Sequence, residues 1–270
     1  MGAGGPCCPA RLADGAPRLM LPAMDPIDRT ASLSPSRFDI DRVPVLRKIE
    51  VRGLVILGLV SASLFGFLTI AGEVREGDTH AFDDAILRAL RSPTDPADPI
   101  GPFWVEAIMR DLTALGGYTV LALLTVLAVT YLLMKGKRAS ALLMGVAMMG
   151  GVMLSNVLKI GFDRQRPDVV AHLVDVHSLS FPSGHAMLSA TAYLTLGALL
   201  ARGERGFVMR SYFMGVAIAL TLLIGASRVY LGVHYPTDVL AGWCAGSAWA
   251  LLCWWVARWL QRRGSVEPST

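Results

Sequence analysis

An all-α membrane protein, built as a bundle of six transmembrane helices, is the fold class this sequence predicts. Three observations carry the prediction. Of the 270 residues, 53% are hydrophobic and the mean hydropathy is +0.50. The apolar residues stand in unbroken runs, where a soluble helix would space them periodically around a polar face. The charges collect between the runs, with basic and acidic connections in separate places.

The predicted spans are Leu54–Gly72, Leu115–Met134, Ala139–Leu158, Ala186–Ala201, Tyr212–Ser227 and Val239–Val256. Each is close to the roughly 20 residues that cross about 30 Å of hydrocarbon. The fourth and fifth runs are short enough to suit core helices, and their place in a regular series makes them spans. Arg42, Arg47, Lys48 and Arg52 precede the first span. Lys135, Lys137 and Arg138 separate the second from the third, and Arg202, Arg205 and Arg210 separate the fourth from the fifth. Arg258, Arg262 and Arg263 close the sixth, whereas Glu73 to Asp111 is rich in acids, among them Asp78, Asp83, Asp84, Asp95 and Asp98. The positive-inside rule then predicts both termini in the cytoplasm. The net charge of +4 and pI near 9.0 follow from these flanks and call for no nucleic-acid partner.

Outside the spans, residues 1–50 carry many Pro, Gly, Ala, Ser and Asp and are expected to be a disordered cytoplasmic tail. Residues 51–260 are expected to form the membrane domain and 261–270 a second short cytoplasmic tail. No signal peptide or myristoylation signal is expected in the first tail, and Met24 is a candidate start. Between the first two spans, "HAFDDAILRALR" places Phe82, Ile86 and Leu90 on one face, the pattern of a short amphipathic helix lying on the membrane surface. It is expected to be a plain connector. Cys7 and Cys8 are adjacent, while Cys244 and Cys253 lie in a span as small hydrophobes, so no zinc site or disulfide framework is expected.

The charges on the opposite side are the exception. Lys159, Arg164, Arg166 and Arg228 fall in or beside connections that the rule places outside, with Lys159 and Arg228 at the ends of apolar helices. Ionisable groups at such depth are expensive and tend to mark a functional site. They belong to three blocks: "KIGFDRQRP" at 159–167, "PSGH" at 182–185 and "SRVYLGVHYPTD" at 227–238. A six-span topology brings all three to one membrane face. In the second block Pro182 breaks the preceding segment, Ser183 is a good N-cap and Gly184 permits close approach to the backbone. His185 titrates near neutrality beside the free N–H groups of a helix start, which together make an anion site with a proton donor.

In order and spacing these blocks resemble the three signatures of the type 2 phosphatidic acid phosphatase superfamily, integral membrane lipid phosphatases. They match Lys-x6-Arg-Pro, Pro-Ser-Gly-His and Ser-Arg-x5-His-x3-Asp, and the resemblance covers roughly residues 50 to 260. Gln165 departs from the Pro that many relatives carry there. The resemblance implies His234 as the nucleophile, forming a phosphohistidine, with Asp238 fixing its tautomer and stabilising the imidazolium. It implies Lys159, Arg166 and Arg228 as phosphate-binding cations, with Ser183 and the Gly184 N–H completing the cradle and His185 protonating the leaving oxygen.

Weaker expectations attach to the neighbours. Arg164 is either an auxiliary phosphate contact or a solvated loop charge, and His172 and His177 are expected to be solvated. Ser155 and Asn156 are expected to bond between helices. Asp163 and Asp175 lack the partners of a metal site, so neither metal nor other cofactor is expected. The implied protein is a bacterial inner-membrane enzyme with its site on the periplasmic face, a lipid phosphate or diphosphate as substrate, and no nucleic-acid partner. Undecaprenyl pyrophosphate is the expected substrate. Phosphatidate, phosphatidylglycerophosphate and lipid A are the alternatives, followed by phosphotransfer to another lipid and by non-catalytic phospholipid transport.

Overall fold

Apolar continuity becomes helix almost throughout. The computed structural model describes Met1, Gly2 and residues 43–176 and 178–262; for 43–52 and 262 it describes the backbone alone. Most of the expected N-terminal tail, with Cys7, Cys8, Met24 and Arg42, lies outside the described residues, as do His177, Arg263 and residues 264–270. The chain divides into a unit of Met1–Val45 and a unit of Leu46–Thr270, and the second holds the spans and the site.

Eight helices are described: α1 Val43–Glu76, α2 His80–Ala89, α3 Phe103–Ala114, α4 Tyr118–Met134, α5 Arg138–Phe162, α6 Gly184–Gly203, α7 Phe207–Tyr230 and α8 Pro236–Arg262. Five are long and apolar enough to span a membrane, namely α1 from Gly53, α5, α6, α7 and α8; α3 and α4 meet the same test only together, as a bent pair, which makes up to six. The predicted second span is therefore not one rod. It begins earlier, at Phe103, and bends by 49° at Leu115–Gly117. Two adjacent glycines, Gly116 and Gly117, interrupt the helical ladder there. The freed carbonyl of Leu115 accepts the Tyr193 hydroxyl at 2.9 Å, which satisfies a backbone group that lipid would leave unpaired.

Helix α6 is the axis of the bundle. Its Leu188, Ala192 and Tyr193 pack with Leu121 of α4, Met144 and Met148 of α5, and Ala217 and Ile224 of α7. On its other side Met187 meets Ala241 and Ala245 of α8 and Phe67 and Ala71 of α1. Small residues bring the neighbours close, as expected where packing rather than hydrophobic transfer drives helix association. Trp243 and Trp249 of α8 lie against Gly225 and Gly150, where an added Cβ would stand 2.3 Å from either ring. Their indole N–H groups donate to Thr221 O (3.0 Å) and Ala147 O (2.8 Å), so neither amphipathic ring leaves a buried donor unpaired.

The surface helix is present at α2, with one face turned to the protein. Asp83 and Leu87 are fully buried, while Phe82 is 53% exposed. Of the expected apolar stripe, Phe82 points outward while Ile86 and Leu90 are half-buried, Leu90 against Tyr230, Leu231 and Val233, and a carboxylate points into the protein.

A candidate phosphoryl-transfer site at one end of the bundle

The ends of α5 and α7 and the starts of α6 and α8 meet at the same end of the bundle, and the three blocks meet there with them. Lys159 lies in the last turn of α5, and Asp163 closes that helix in the left-handed region (φ 46°). Ser183 caps α6, its Oγ accepting from Ala186 N at 3.5 Å; the hydroxyl proton is not used in that bond. Arg228 lies in the last turn of α7, and Gly232, at φ 74°, turns the chain toward α8. The Ser183 N–H donates to Asp238 O (3.0 Å) and the Ser180 N–H to Arg164 O (2.9 Å), which lock the second block against the other two.

Six of the eight expected site residues line or border one cavity of about 440 Å³: Lys159, Arg166, Gly184, His185, Arg228 and His234. Asp238 stands behind His234, and Ser183 lies fully buried behind Gly184. His234 is 1% exposed, and its two ring nitrogens face opposite ways. Nδ1 is 3.3 Å from Asp238 Oδ2 and 3.3 Å from Ser180 Oγ. Nε2 is 3.2 Å from Arg166 Nη1. A guanidinium only donates, so Nε2 carries the lone pair and Nδ1 the proton. Burial holds the imidazole well below its ordinary pKa, and Arg166, Arg228 and Lys159 push the same way. The side chain is thus a neutral imidazole with its free lone pair toward the cations.

Each cation is braced by neutral groups. Lys159 Nζ donates to Leu179 O. Arg228 Nη1 donates to Thr113 Oγ1 at 2.9 Å, while its Nε has no hydrogen-bond partner among the described residues. Arg166 donates to Ser178 O (2.6 Å), Ser178 Oγ (3.1 Å) and Val233 O (2.6 Å), and burial lowers its pKa. Among the described residues none of the three has a carboxylate in direct contact, so their charge is available to an anion in the cavity.

Several contributors escaped the sequence reading. Thr113 and Tyr118 reach the cavity from the two sides of the α3–α4 bend. Ser180 donates to Asp238 Oδ2, which also accepts Tyr235 N at 3.0 Å. Thr113 and Ser180 carry no signal beyond being small polar residues near spans. Arg164 is neither a phosphate contact nor a solvated charge: its side chain is 9% exposed and paired with both Asp83 and Asp238. Ser155 is fully buried with no partner for its hydroxyl among the described residues, and Asn156 is exposed. The expected bonds between helices are therefore absent from Ser155. His172 is exposed, with Nε2 2.6 Å from Pro167 O.

A neutral buttressed imidazole facing unpaired cations, set in a helical membrane bundle, defines a membrane enzyme that handles phosphoryl groups. Residues 140–262 match the PAP2 superfamily. The chain is 35% identical over 189 residues to phosphatidylglycerophosphatase B of Bacillus subtilis (strain 168), covering 69% of this chain and 88% of that protein. It is 41% identical over 68 residues to the undecaprenyl-diphosphatase of Sulfolobus acidocaldarius, which covers 25% of this chain and 29% of that one. Among solved structures it resembles the PAP2-type phosphatidylglycerolphosphate phosphatase from Bacillus subtilis, with a TM-score of 0.67 and 28% identity over 78% of this chain and 98% of that one. The chain belongs to the PAP2 superfamily. It is a multi-pass membrane lipid phosphatase, a phosphate hydrolase acting on lipid substrates.

Proposed function

We propose that this protein removes a terminal phosphate from a lipid through a phosphohistidine at His234. The observation that supports this most directly is the split environment of that ring: Nδ1 toward Asp238, Nε2 toward Arg166. Nε2 attacks phosphorus, and the bond from phosphorus to the lipid oxygen breaks as His185 gives that oxygen a proton. Lys159, Arg166 and Arg228 hold the three outer oxygens, and their N–H groups meet the charge as it redistributes. Arg166 swings its Nη1 from the ring onto an oxygen as phosphate arrives. The Gly184 N–H and the Ser183 hydroxyl add donors at the α6 N-terminus. As Nε2 becomes bonded, the ring turns cationic, and the Asp238 carboxylate stabilises it. Water then attacks the phosphohistidine, His185 takes its proton, and phosphate leaves.

Phosphatidylglycerophosphate is the substrate best supported, because the relative matched along 88% of its length carries that activity in its name. The sequence alone favours undecaprenyl pyrophosphate. A second reading keeps it, supported by the shorter match to an undecaprenyl-diphosphatase, which covers only 29% of that relative.

The test is a panel of both lipids presented to the purified protein in single turnover, with acid-labile label trapped on the enzyme. Native protein is expected to hold label on histidine, and His234→Gln to hold none and turn over neither lipid. His185→Asn is expected to lose more on the monoester, whose alkoxide leaving group is strongly basic. A diphosphate expels a phosphate oxygen with a pKa of roughly 6 and needs less help. Turnover by His234→Gln would remove the nucleophile from this reading.

A further inference from the structure

Arg164 and Asp83 do no phosphate binding in the mechanism above, yet every terminal nitrogen and carboxylate oxygen of the pair is hydrogen-bonded. Arg164 spreads its guanidinium across two carboxylates, with Nη1 to Asp238 Oδ1 at 2.7 Å and Nη2 to Asp83 Oδ2 at 2.8 Å. The same two nitrogens reach Thr237 Oγ1 (2.9 Å) and Thr79 Oγ1 (3.2 Å), and the group lies 4.2 Å over the Tyr235 ring. Asp83, 0% exposed on α2, also accepts Thr237 N at 3.0 Å and Thr237 Oγ1 at 2.7 Å. It therefore caps the N-terminus of α8 from another helix, where the dipole favours a negative charge.

We infer that Arg164 and Asp83 are positioning residues for the hydrolysis, an arm from the surface helix α2 that fixes the Asp238 carboxylate against His234. The inference rests on the proposed role of His234 and extends the site to an element outside the membrane bundle. Asp238 uses Oδ1 for Arg164, leaving Oδ2 to Ser180, Tyr235 N and His234 Nδ1. With Oδ1 pinned, the carboxylate cannot rotate away from the ring, and the pre-set geometry is what orientation contributes to a rate. The carboxylate also has its charge matched before the reaction starts, and Oδ2 stays turned toward the ring that becomes imidazolium. Asp83 completes the arm, because it anchors the far nitrogen of the guanidinium and balances the second half of its charge. Arg164 is absent from the residues lining the phosphate cavity, and both of its terminal nitrogens are occupied. It is thus the one cation of the three blocks that works through another residue.

The test is a mutant cycle on purified protein in detergent micelles, with kcat, KM and inhibition by inorganic phosphate measured on a phosphatidylglycerophosphate substrate. Arg164→Gln is expected to lower kcat tenfold or more while KM and the phosphate inhibition constant move less than twofold. Arg164→Lys is expected to recover part of the loss, since an ammonium can hold one carboxylate but not bridge both. In an Asp238→Asn background, Arg164→Gln is expected to cost less than a further twofold, because its effect runs through the carboxylate already removed. Losses that multiply across the cycle would make Arg164 a general scaffold residue and overturn the inference. A tenfold weaker phosphate inhibition would make it a phosphate ligand and overturn it equally. Asp83→Asn keeps the shape of the buried site and carries the same cycle if Arg164→Gln does not fold; an unchanged kcat there would remove Asp83 from the arm. The cycle is independent of the covalent intermediate: a native enzyme without trapped label sinks the phosphohistidine, while the coupling of Arg164 to Asp238 is still measured.

Discussion

At the scale of the residue, the site separates charge that is free from charge that is spent. Lys159, Arg166 and Arg228 are braced by carbonyls and hydroxyls, whereas Arg164 is neutralised by Asp83 and Asp238. Block spacing singles out Lys159, Arg166 and Arg228 and leaves Arg164 as either an auxiliary phosphate contact or a solvated charge. Only three-dimensional pairing gives Arg164 its role, and its partner Asp83 lies 81 residues away along the chain. The identities of His234, His185 and Asp238 were legible because their block spacing is local. The buried environment of His234 has a consequence in pH. Its native pKa is held below the ordinary value of about 6.5, so the unfolded ring takes up a proton that the folded ring refuses. Stability is then undiminished above pH 6.5 and is lost as the pH falls below it, by up to about 1.4 kcal/mol per pH unit until the native value is reached. Thermal unfolding in detergent from pH 7.5 to 5 is expected to show a steeper acid loss for the native protein than for His234→Gln. Parallel curves would mean that the ring is not held neutral.

At the scale of the element, the difference between expectation and structure lies in breaks and faces. Continuous hydropathy located the spans but not the bend at Leu115–Gly117, because a run of apolar residues is equally long whether straight or broken. The bend brings Thr113 to Arg228 and Tyr118 to the cavity, so it belongs to the site. Helix α2 was legible as an amphipathic surface helix, but the burial of Asp83 was not, since acids normally face water. Here the buried partner is a guanidinium, and an acid takes the inward position. The bend can be tested at Gly116. A Cβ there would stand 2.4 Å from Ile224 Cγ2 and 3.3 Å from His185 Cδ2. Ile224 is fully buried, and a β-branched side chain in a helix has little rotameric escape. Gly116→Ala is expected to cost about 1–3 kcal/mol in overpacking and to reduce kcat by displacing His185. Ile224→Ala in the same chain is expected to restore part of both, and failure of that rescue would mean that the glycine serves the backbone conformation instead.

At the scale of the whole molecule, the odd number of crossings between successive connections sorts them to two ends. Lys135–Lys137 and Glu204–Gly206 join helices at one end; residues 163–183 and 231–235 join them at the other, where the cavity lies. The first end carries Lys135, Lys137, Arg138, Arg202, Arg205 and Arg210 and is the one the positive-inside rule retains in the cytoplasm. The second end also holds cations, but Lys159 and Arg228 are buried, and Arg164 and Arg166 are half-buried, so they are committed to the site rather than to anionic headgroups. Topology is expected to follow the exposed charges, with the Lys135–Lys137 and Glu204–Gly206 connections in the cytoplasm and the phosphate cavity on the periplasmic side. Single cysteines in a chain with Cys7, Cys8, Cys244 and Cys253 replaced would read this directly. In intact cells, Asp168→Cys, at an exposed position of the α5–α6 connection, is expected to react with a membrane-impermeant maleimide. Lys137→Cys, exposed at the opposite end, is expected to react only after the membrane is opened. The reverse pattern would place the site in the cytoplasm, so that a lipid phosphate made on the inner leaflet would be hydrolysed without first crossing the bilayer.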